Sequence, residues 1–120
     1  MIDDIFAKFD GAFAKNTIRA YRSDFAQYQN WCLQNNQESI PATAETMATY
    51  VDYLSENNKS ATIRRRINSL GTVLKLSKNL DPTKDPEVIL ALKRMHRKIG
   101  RAQDQATPST KTLLNQLLNN

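Results

Sequence analysis

Three consecutive arginines, Arg64 to Arg66, stand in the middle of the segment Lys59–Leu76. Guanidinium groups stay charged at physiological pH and form paired hydrogen bonds with phosphate oxygens. The chemistry they favour is the binding of a polyanion, but cations on a helix surface can also serve only to keep it solvated. Charge alone leaves both interpretations open.

The same segment repeats its apolar residues at the spacing of a helix. Ile63, Ile67, Leu70 and Leu74 recur at intervals of four, three and four residues, the pattern of one buried face. The arginines fall on the remaining arc. The sequence therefore predicts a helix over residues 60–77 that buries one side and presents cations on the other.

Positive charge is concentrated in the second half of the chain. The 120 residues carry a net charge of +5. Residues 1–58 hold four basic and eight acidic residues, whereas residues 59–101 hold twelve basic and three acidic ones. This asymmetry is the electrostatic footprint of a polyanion binder.

The longer apolar stretches all have helical periodicity, and the chain has only three glycines and four prolines. The sequence therefore predicts an all-α fold, a small bundle of four main helices and one short N-terminal helix. Helices are expected over residues 2–9, 16–34, 43–57, 60–77 and 85 to about 100. Side-chain caps are expected at four helix starts: Asn16 or Thr17, Thr43, Ser60, and Asp85 followed by Pro86. Asn57 and Asn58 are expected to close the third helix in the left-handed conformation.

The faces of these helices differ in charge. The second helix has the strongest apolar stripe, which includes Tyr28 and Cys32. The outer face of the third helix is acidic, so we expect it to point away from nucleic acid. The fifth helix carries cations around the side opposite its apolar face. Domain boundaries are expected at 1–101 for the bundle, 102–109 for a linker, and 110–120 for the first helix of a second, missing domain.

Several kinds of site are not indicated by the sequence. It contains no glycine-rich phosphate loop and no Cys/His spacing that suits zinc, so no metal or cofactor is expected. His96 is the only histidine and has no evident catalytic partner, and the tyrosines fit packing better than nucleophilic roles. Cys32 is expected to be a buried small hydrophobe in a reducing compartment. No apolar run is long enough for a membrane span, and no targeting signal is evident, so we expect a cytoplasmic protein.

Four stretches occur here in an order typical of one family. They are NTIRAYRSDFAQYQNWCLQNN, IPATAETMATYVDYLSEN, KSATIRRRINSLGTVLKLS and DPEVILALKRMHRKIGRAQDQATP. Together, over about residues 10–108, the chain resembles the N-terminal core-binding (SAM-like) domain of tyrosine recombinases, the phage integrase family, and especially its Cre-like members. Each motif is weak alone, and their order and spacing carry the resemblance.

The resemblance implies a small orthogonal helical bundle that forms half of a clamp on double-stranded DNA. The helices 16–34 and 60–77 would face the major groove, and the fifth helix would grip backbone nearby. The implied DNA-binding residues are Thr17, Arg19, Ala20, Ser23, Ala61, Thr62, Arg64, Arg65, Arg66, Lys93, Arg94, His96, Arg97, Lys98 and Arg101. Ala20 and Ala61 depart from relatives that have longer contacting side chains there, which puts direct base reading at these two positions in doubt.

The resemblance also implies that DNA binding and catalysis belong to separate domains. The family's catalytic residues belong to a domain that would follow the linker, so this chain is not expected to be an enzyme by itself. The parent protein, encoded by a bacterium, phage or mobile element, would break and rejoin DNA through a 3′-phosphotyrosine linkage, without metal or ATP. It would act as a tetramer, whereas the chain alone is expected to be monomeric or weakly associating. In this family the short first helix often contacts a neighbouring subunit. The sequence does not decide whether this helix packs on its own bundle or on a neighbour, and in the second case Ile5, Phe6 and Phe9 would be partly exposed in a monomer.

Two other functions remain compatible with the residues. A helical protein-interaction module would direct the same cations to an acidic protein partner. A stand-alone helix-turn-helix regulator would bind DNA as a stable dimer without a second domain. A reading frame that continues into a catalytic domain would decide in favour of the recombinase.

Overall fold

The structure, a computed structural model, describes residues 2–100 of the chain and the side chains of residue 4 and residues 6–99. The predicted all-α class is confirmed, with four main helices and a short N-terminal one. The helices are α1 (Ile2–Ala7), α2 (Lys15–Gln34), α3 (Ala44–Leu54), α4 (Ser60–Leu76) and α5 (Pro86–Met95). A 3-10 turn (Pro82–Lys84) precedes α5, and a π-helical turn (His96–Gly100) follows it. The predicted linker 102–109, the predicted helix 110–120 and Arg101 lie outside the described residues.

Two of the predicted caps are confirmed. The Thr43 side chain accepts a hydrogen bond from the backbone N–H of Thr46 at 3.1 Å and starts α3. Asp85 accepts one from the N–H of Glu87 at 2.9 Å, and Pro86 takes the first position of α5. Both side chains satisfy backbone donors that have no partner within the first helical turn.

The other predicted caps are wrong. The carbonyl of Ala14 already accepts from the N–H of Ile18, so α2 begins one residue before Asn16. The carbonyl of Lys59 likewise accepts from the N–H of Ile63, which places Ser60 inside the first turn of α4 rather than at its cap. Neither helix start has a side-chain cap. Both helices begin directly after a residue with extended backbone.

The end of α3 also differs from the prediction. The helix stops at Leu54, and neither Asn57 nor Asn58 takes a positive φ. Asn58 instead donates from its side-chain amide to the carbonyl of Leu54 at 3.0 Å. The asparagine therefore satisfies a free carbonyl at the helix end through its side chain rather than through a left-handed backbone.

The core is built mainly by α2, α3 and α4. Phe25 and Tyr28 of α2 are fully buried and pack edge to face, and Tyr28 meets Tyr50 of α3 with 5.2 Å between ring centroids. Ile63 and Ile67 close this core from α4. The predicted burial of Cys32 is confirmed. None of the helices within residues 2–100 is long and apolar enough to span a membrane.

The short helix α1 packs on its own bundle. Phe6 and Phe9 are only 1% and 4% exposed, so of the two alternatives the structure has the helix packed within its own chain, while the side chain of Ile5 is not described. Phe9 packs edge to face against Phe6 and against Tyr21 of α2. The guanidinium of Arg22 lies 4.9 Å from the centre of the Phe6 ring. Two turns of helix are held because aromatic contacts with α2 supply the stability that the isolated helix lacks.

The helices pack in two pairs, α2 beside α4 and α3 beside α5. The 3-10 turn connects the second pair to α4 through a close approach at Gly71. A Cβ atom at this position would lie 2.7 Å from Oγ1 of Thr83 and 3.2 Å from a carboxylate oxygen of Asp81. Thr83 is held there because its hydroxyl and its N–H both donate to Asp81, at 2.7 and 2.9 Å.

We expect Gly71→Ala to lower the free energy of unfolding by about 1–2 kcal/mol. The new methyl group must displace Thr83 from its hydrogen bonds, and such overpacking outweighs the roughly 1 kcal/mol that alanine gains over glycine in a helix. Urea unfolding followed by circular dichroism measures the change. In a Thr83→Ala background, where the Oγ1 atom at 2.7 Å is gone and only the Asp81 carboxylate at 3.2 Å must shift, the same substitution should cost clearly less. Equal costs in both backgrounds would contradict the steric explanation.

Candidate nucleic-acid interface

An ion pair joins α2 and α4. Arg65 on α4 donates from Nη1 to one carboxylate oxygen of Asp24 at 2.7 Å and from Nη2 to the other at 3.4 Å. The carboxylate is buried, with 3% of its side chain exposed, whereas 55% of the Arg65 side chain remains exposed. A cation thus lies at the outer edge of the seam between the helices.

A polar stripe runs along α2 on the exposed side of this seam. Arg19 donates to the Asn16 side chain at 3.1 Å, and one helical turn later Gln27 donates to Ser23 at 3.3 Å. The other two candidates on α2, Thr17 and Ala20, are half-buried. Gln27 borders the same cleft as Arg66 of α4, so the stripe lies alongside α4 rather than on the far side of α2.

The candidate residues of α4 separate into outward and inward groups. Ala61, Arg64 and Arg65 are exposed, and Thr62 is half-buried. Arg66 turns inward, and its Nε atom is buried without a hydrogen-bond partner among the described residues. The three arginines that are consecutive in sequence therefore have three different surroundings.

Arg66 lies in a polar cleft of about 320 Å³ between α2, the end of α3 and α4. Burial raises the pKa of Tyr50 to about 12, and the Arg66 guanidinium, which hydrogen-bonds the hydroxyl, only partly offsets this rise. Trp31 and Tyr53 form the aromatic side of the cleft, with ring centroids 5.8 Å apart. Arg66 is thus largely engaged by the fold, and its exposed surface opens into the cleft.

The cations of α5 lie next to α3. Arg94 donates to Asp52 at 3.1 Å, and Arg94 and Lys98 share a surface depression with Asp52 and Glu56. The acidic outer face of α3 is therefore partly covered by basic side chains of α5. Lys93, His96 and Arg97 are also exposed. Of the residues predicted to form one surface, the structure brings those of α2 and α4 together and places Arg94 and Lys98 beside α3.

A family model described as "Phage integrase, N-terminal SAM-like domain" matches residues 8–78, more than half of the chain. The chain belongs to this family. The match ends just after α4, so α5 and its cations lie beyond it. The chain is also 29% identical over 98 residues to the "Integrase/recombinase xerD homolog" of Selenomonas ruminantium, an alignment that covers 79% of this chain and 29% of that protein. The chain therefore spans less than a third of the length of this relative.

The tyrosines of this integrase domain mostly belong to its core. Burial raises the pKa of the Tyr28 hydroxyl, the neighbouring Cys32 raises it further, and the hydroxyl donates to the carbonyl of Ser39 at 3.3 Å. Burial also raises the pKa of the Cys32 thiol, against the opposing effect of its hydrogen bond with Tyr28. Groups held in their neutral forms are poor nucleophiles, which agrees with the predicted packing roles of Tyr28 and Tyr50. Tyr53 differs, because about half of its side chain is exposed.

Sequence reasoning missed three residues near the candidate nucleic-acid interface. Asp24 was assigned neither a partner on another helix nor a role at the interface, although it follows the polar Ser23 and precedes the buried Phe25. A carboxylate at the edge of an apolar stripe is a signal that it needs a partner on another helix. Gln27 and Asn30 extend the polar stripe of α2 by helical spacing into the cleft with Arg66, and that periodicity was available in the sequence.

Proposed function

We propose that this chain grips double-stranded DNA at the recombination site of a site-specific tyrosine recombinase. The observation that carries the proposal is that α2 and α4 pack side by side and that Arg19 of α2 and Arg64 and Arg65 of α4 are all exposed. Ser23 and the amides of Asn16 and Gln27 lie along the same exposed stripe of α2 as Arg19. Cations and short polar donors on neighbouring helices are the groups that contact phosphates and the edges of bases in a major groove.

The α5 residues Lys93, His96 and Arg97 would add backbone contacts at the side of this surface. They are exposed, whereas Arg94 already has Asp52 as a partner. We therefore assign the larger share of phosphate contacts on this side to Lys93 and Arg97, and a smaller share to Arg94 and Lys98.

The wider assignments rest on family membership and on the relative named above. We propose that residues 1–101 form the core-binding domain, that 102–109 form the linker, and that 110–120 begin a catalytic domain. In the whole protein that domain would cut and rejoin strands while four copies assemble on DNA. The chain itself would supply grip and site recognition without chemistry.

Duplex binding by the 120-residue chain tests the proposal. Phosphate contacts release counterions, so the logarithm of the binding constant should fall linearly with the logarithm of the salt concentration. Arg97→Ala should reduce that slope by about one. Glu38→Ala, which changes an exposed charge in the loop after α2, serves as a control and should leave the slope unchanged.

Binding to duplex that does not respond to salt would contradict the proposal. Absence of duplex binding, combined with binding to acidic polypeptides, would instead favour a protein-interaction module. A stable dimer that binds DNA at full strength without a further domain would favour a stand-alone regulator. Analytical ultracentrifugation alongside the titration separates these outcomes.

A further inference from the structure

The buried carboxylate of Asp24 lies on the proposed DNA-facing side. A surface that binds only phosphate has no use for an acid at this position. Asp24 lies on α2 between the exposed Ser23 and the seam with α4. A negative charge there opposes the approach of phosphates, so Asp24 does not contribute to phosphate affinity directly. Its contacts point to another role.

Asp24 holds one edge of the Arg65 guanidinium. The carboxylate oxygens accept from Nη1 at 2.7 Å and from Nη2 at 3.4 Å, so they occupy the end of the planar guanidinium group. The carboxylate lies on α2, and only 3% of its side chain is exposed. A guanidinium has five N–H donors in a fixed plane. Two of them are used, and the remaining three include Nε–H and the outer Nη2–H, which are parallel and lie along the adjacent edge.

The free edge has the geometry that recognises guanine. Two parallel N–H donors match the O6 and N7 acceptors that guanine presents in the major groove, which is the commonest specific contact of arginine with DNA. An exposed arginine without a partner samples many rotamers and loses side-chain entropy when it binds. Contact with a buried acid removes much of that freedom before binding.

We propose that Asp24 is a positioning residue for sequence recognition: it orients Arg65 so that the arginine reads one guanine in the major groove. The inference rests on the proposed function and assigns to one pair of residues the selection of a base. Arg64, one position earlier and exposed, has no described acidic partner and would contact phosphate instead.

Selection from a library of random duplexes by the 120-residue chain tests this inference. The native chain should enrich a site with one strongly preferred guanine. Arg65→Lys keeps the charge but loses the planar pair of donors, so it should reduce that preference by about tenfold, a larger factor than any loss of affinity for unselected DNA. Asp24→Asn keeps the size of the side chain and removes its charge, so it should reduce the same preference by about threefold and leave affinity for unselected DNA equal or higher.

A double variant separates positioning from a purely structural role. If Asp24 acts through Arg65, adding Asp24→Asn to Arg65→Lys should change the guanine preference no further. Circular dichroism confirms folding of each variant, and Arg65→Lys still tests the guanine contact if Asp24→Asn does not fold. A structural role alone would lower affinity for all sequences by one factor and leave the preference intact, which overturns the inference. If the native chain binds no duplex, the proposed function itself fails; if it binds and selects no guanine that depends on Arg65, only the inference fails.

Discussion

Replacing Phe6 with alanine is expected to lower the free energy of unfolding by about 3 kcal/mol. Truncating a buried phenylalanine removes its transfer free energy and leaves a cavity, and such substitutions cost about 3–5 kcal/mol. Phe6 also loses its edge-to-face contact with Phe9, 5.5 Å between centroids, and the cation–π contact with Arg22. We place the effect at the lower end because α1 is at the end of the bundle.

The matched control is Leu33→Ala. Leu33 lies on α2 with 78% of its surface exposed, so its truncation should change stability by no more than about 0.5 kcal/mol. Urea unfolding can be followed by the fluorescence of Trp31, the only tryptophan of the chain, which is buried beside Tyr50. Far-ultraviolet circular dichroism provides a second probe of the same transition.

This experiment also distinguishes packing within one chain from packing on a neighbour. If α1 packs on its own bundle, the stability of the native chain and the loss in Phe6→Ala do not depend on protein concentration. A loss that appears only at high concentration, together with a change in oligomeric state, would place Phe6 on a neighbouring subunit. That result would favour the alternative in which α1 contacts a neighbouring subunit.

The helices could be predicted from the sequence because each has a repeated apolar stripe. The period of 3.6 residues places Ile63 and Ile67, or Phe25 and Tyr28, on one face whatever the surroundings. Helix starts were less predictable, since Asn16 and Ser60 are good capping types, yet α2 begins one residue before Asn16 and Ser60 is the first residue of α4. The caps predicted at Thr43 and Asp85 are confirmed because each side chain accepts a hydrogen bond from a backbone N–H in the first turn of its helix.

The polar residues of the interface could be predicted as sets but not as pairs. Periodicity placed Arg19 and Ser23 on α2, and the arginines of α4 on an exposed arc. The partnership of Arg65 with Asp24 spans 41 residues, and that of Arg94 with Asp52 spans 42. Such contacts depend on which helices are neighbours in the bundle. Charge counts could therefore not show that one cation is oriented by a buried acid and another is partly neutralised by α3.

Arg19→Ala combined with Arg64→Ala is expected to lower the affinity for duplex DNA roughly 25-fold near 0.15 M salt. Each lost phosphate contact lowers the slope of the logarithmic salt dependence by about 0.9, which corresponds to roughly fivefold in affinity at that salt concentration. Both side chains are exposed on neighbouring helices, and neither has a described ion pair. The substitutions should leave folding unchanged, because exposed positions tolerate alanine within about 0.5 kcal/mol.

Arg94→Ala is the matched control on α5. Its guanidinium is 3.1 Å from Asp52, so much of its charge is already balanced before DNA arrives. We expect an effect on affinity below threefold, smaller than that of Arg19 or Arg64 taken singly, and a slope changed by less than half of one contact. If instead Arg94→Ala weakens binding more than the double variant, DNA lies against α5 and α3. Arg94 would then have to leave Asp52 when DNA binds, so Asp52→Asn should strengthen DNA binding. In that case, alanine substitutions at Arg19 and Arg64 should not change the affinity.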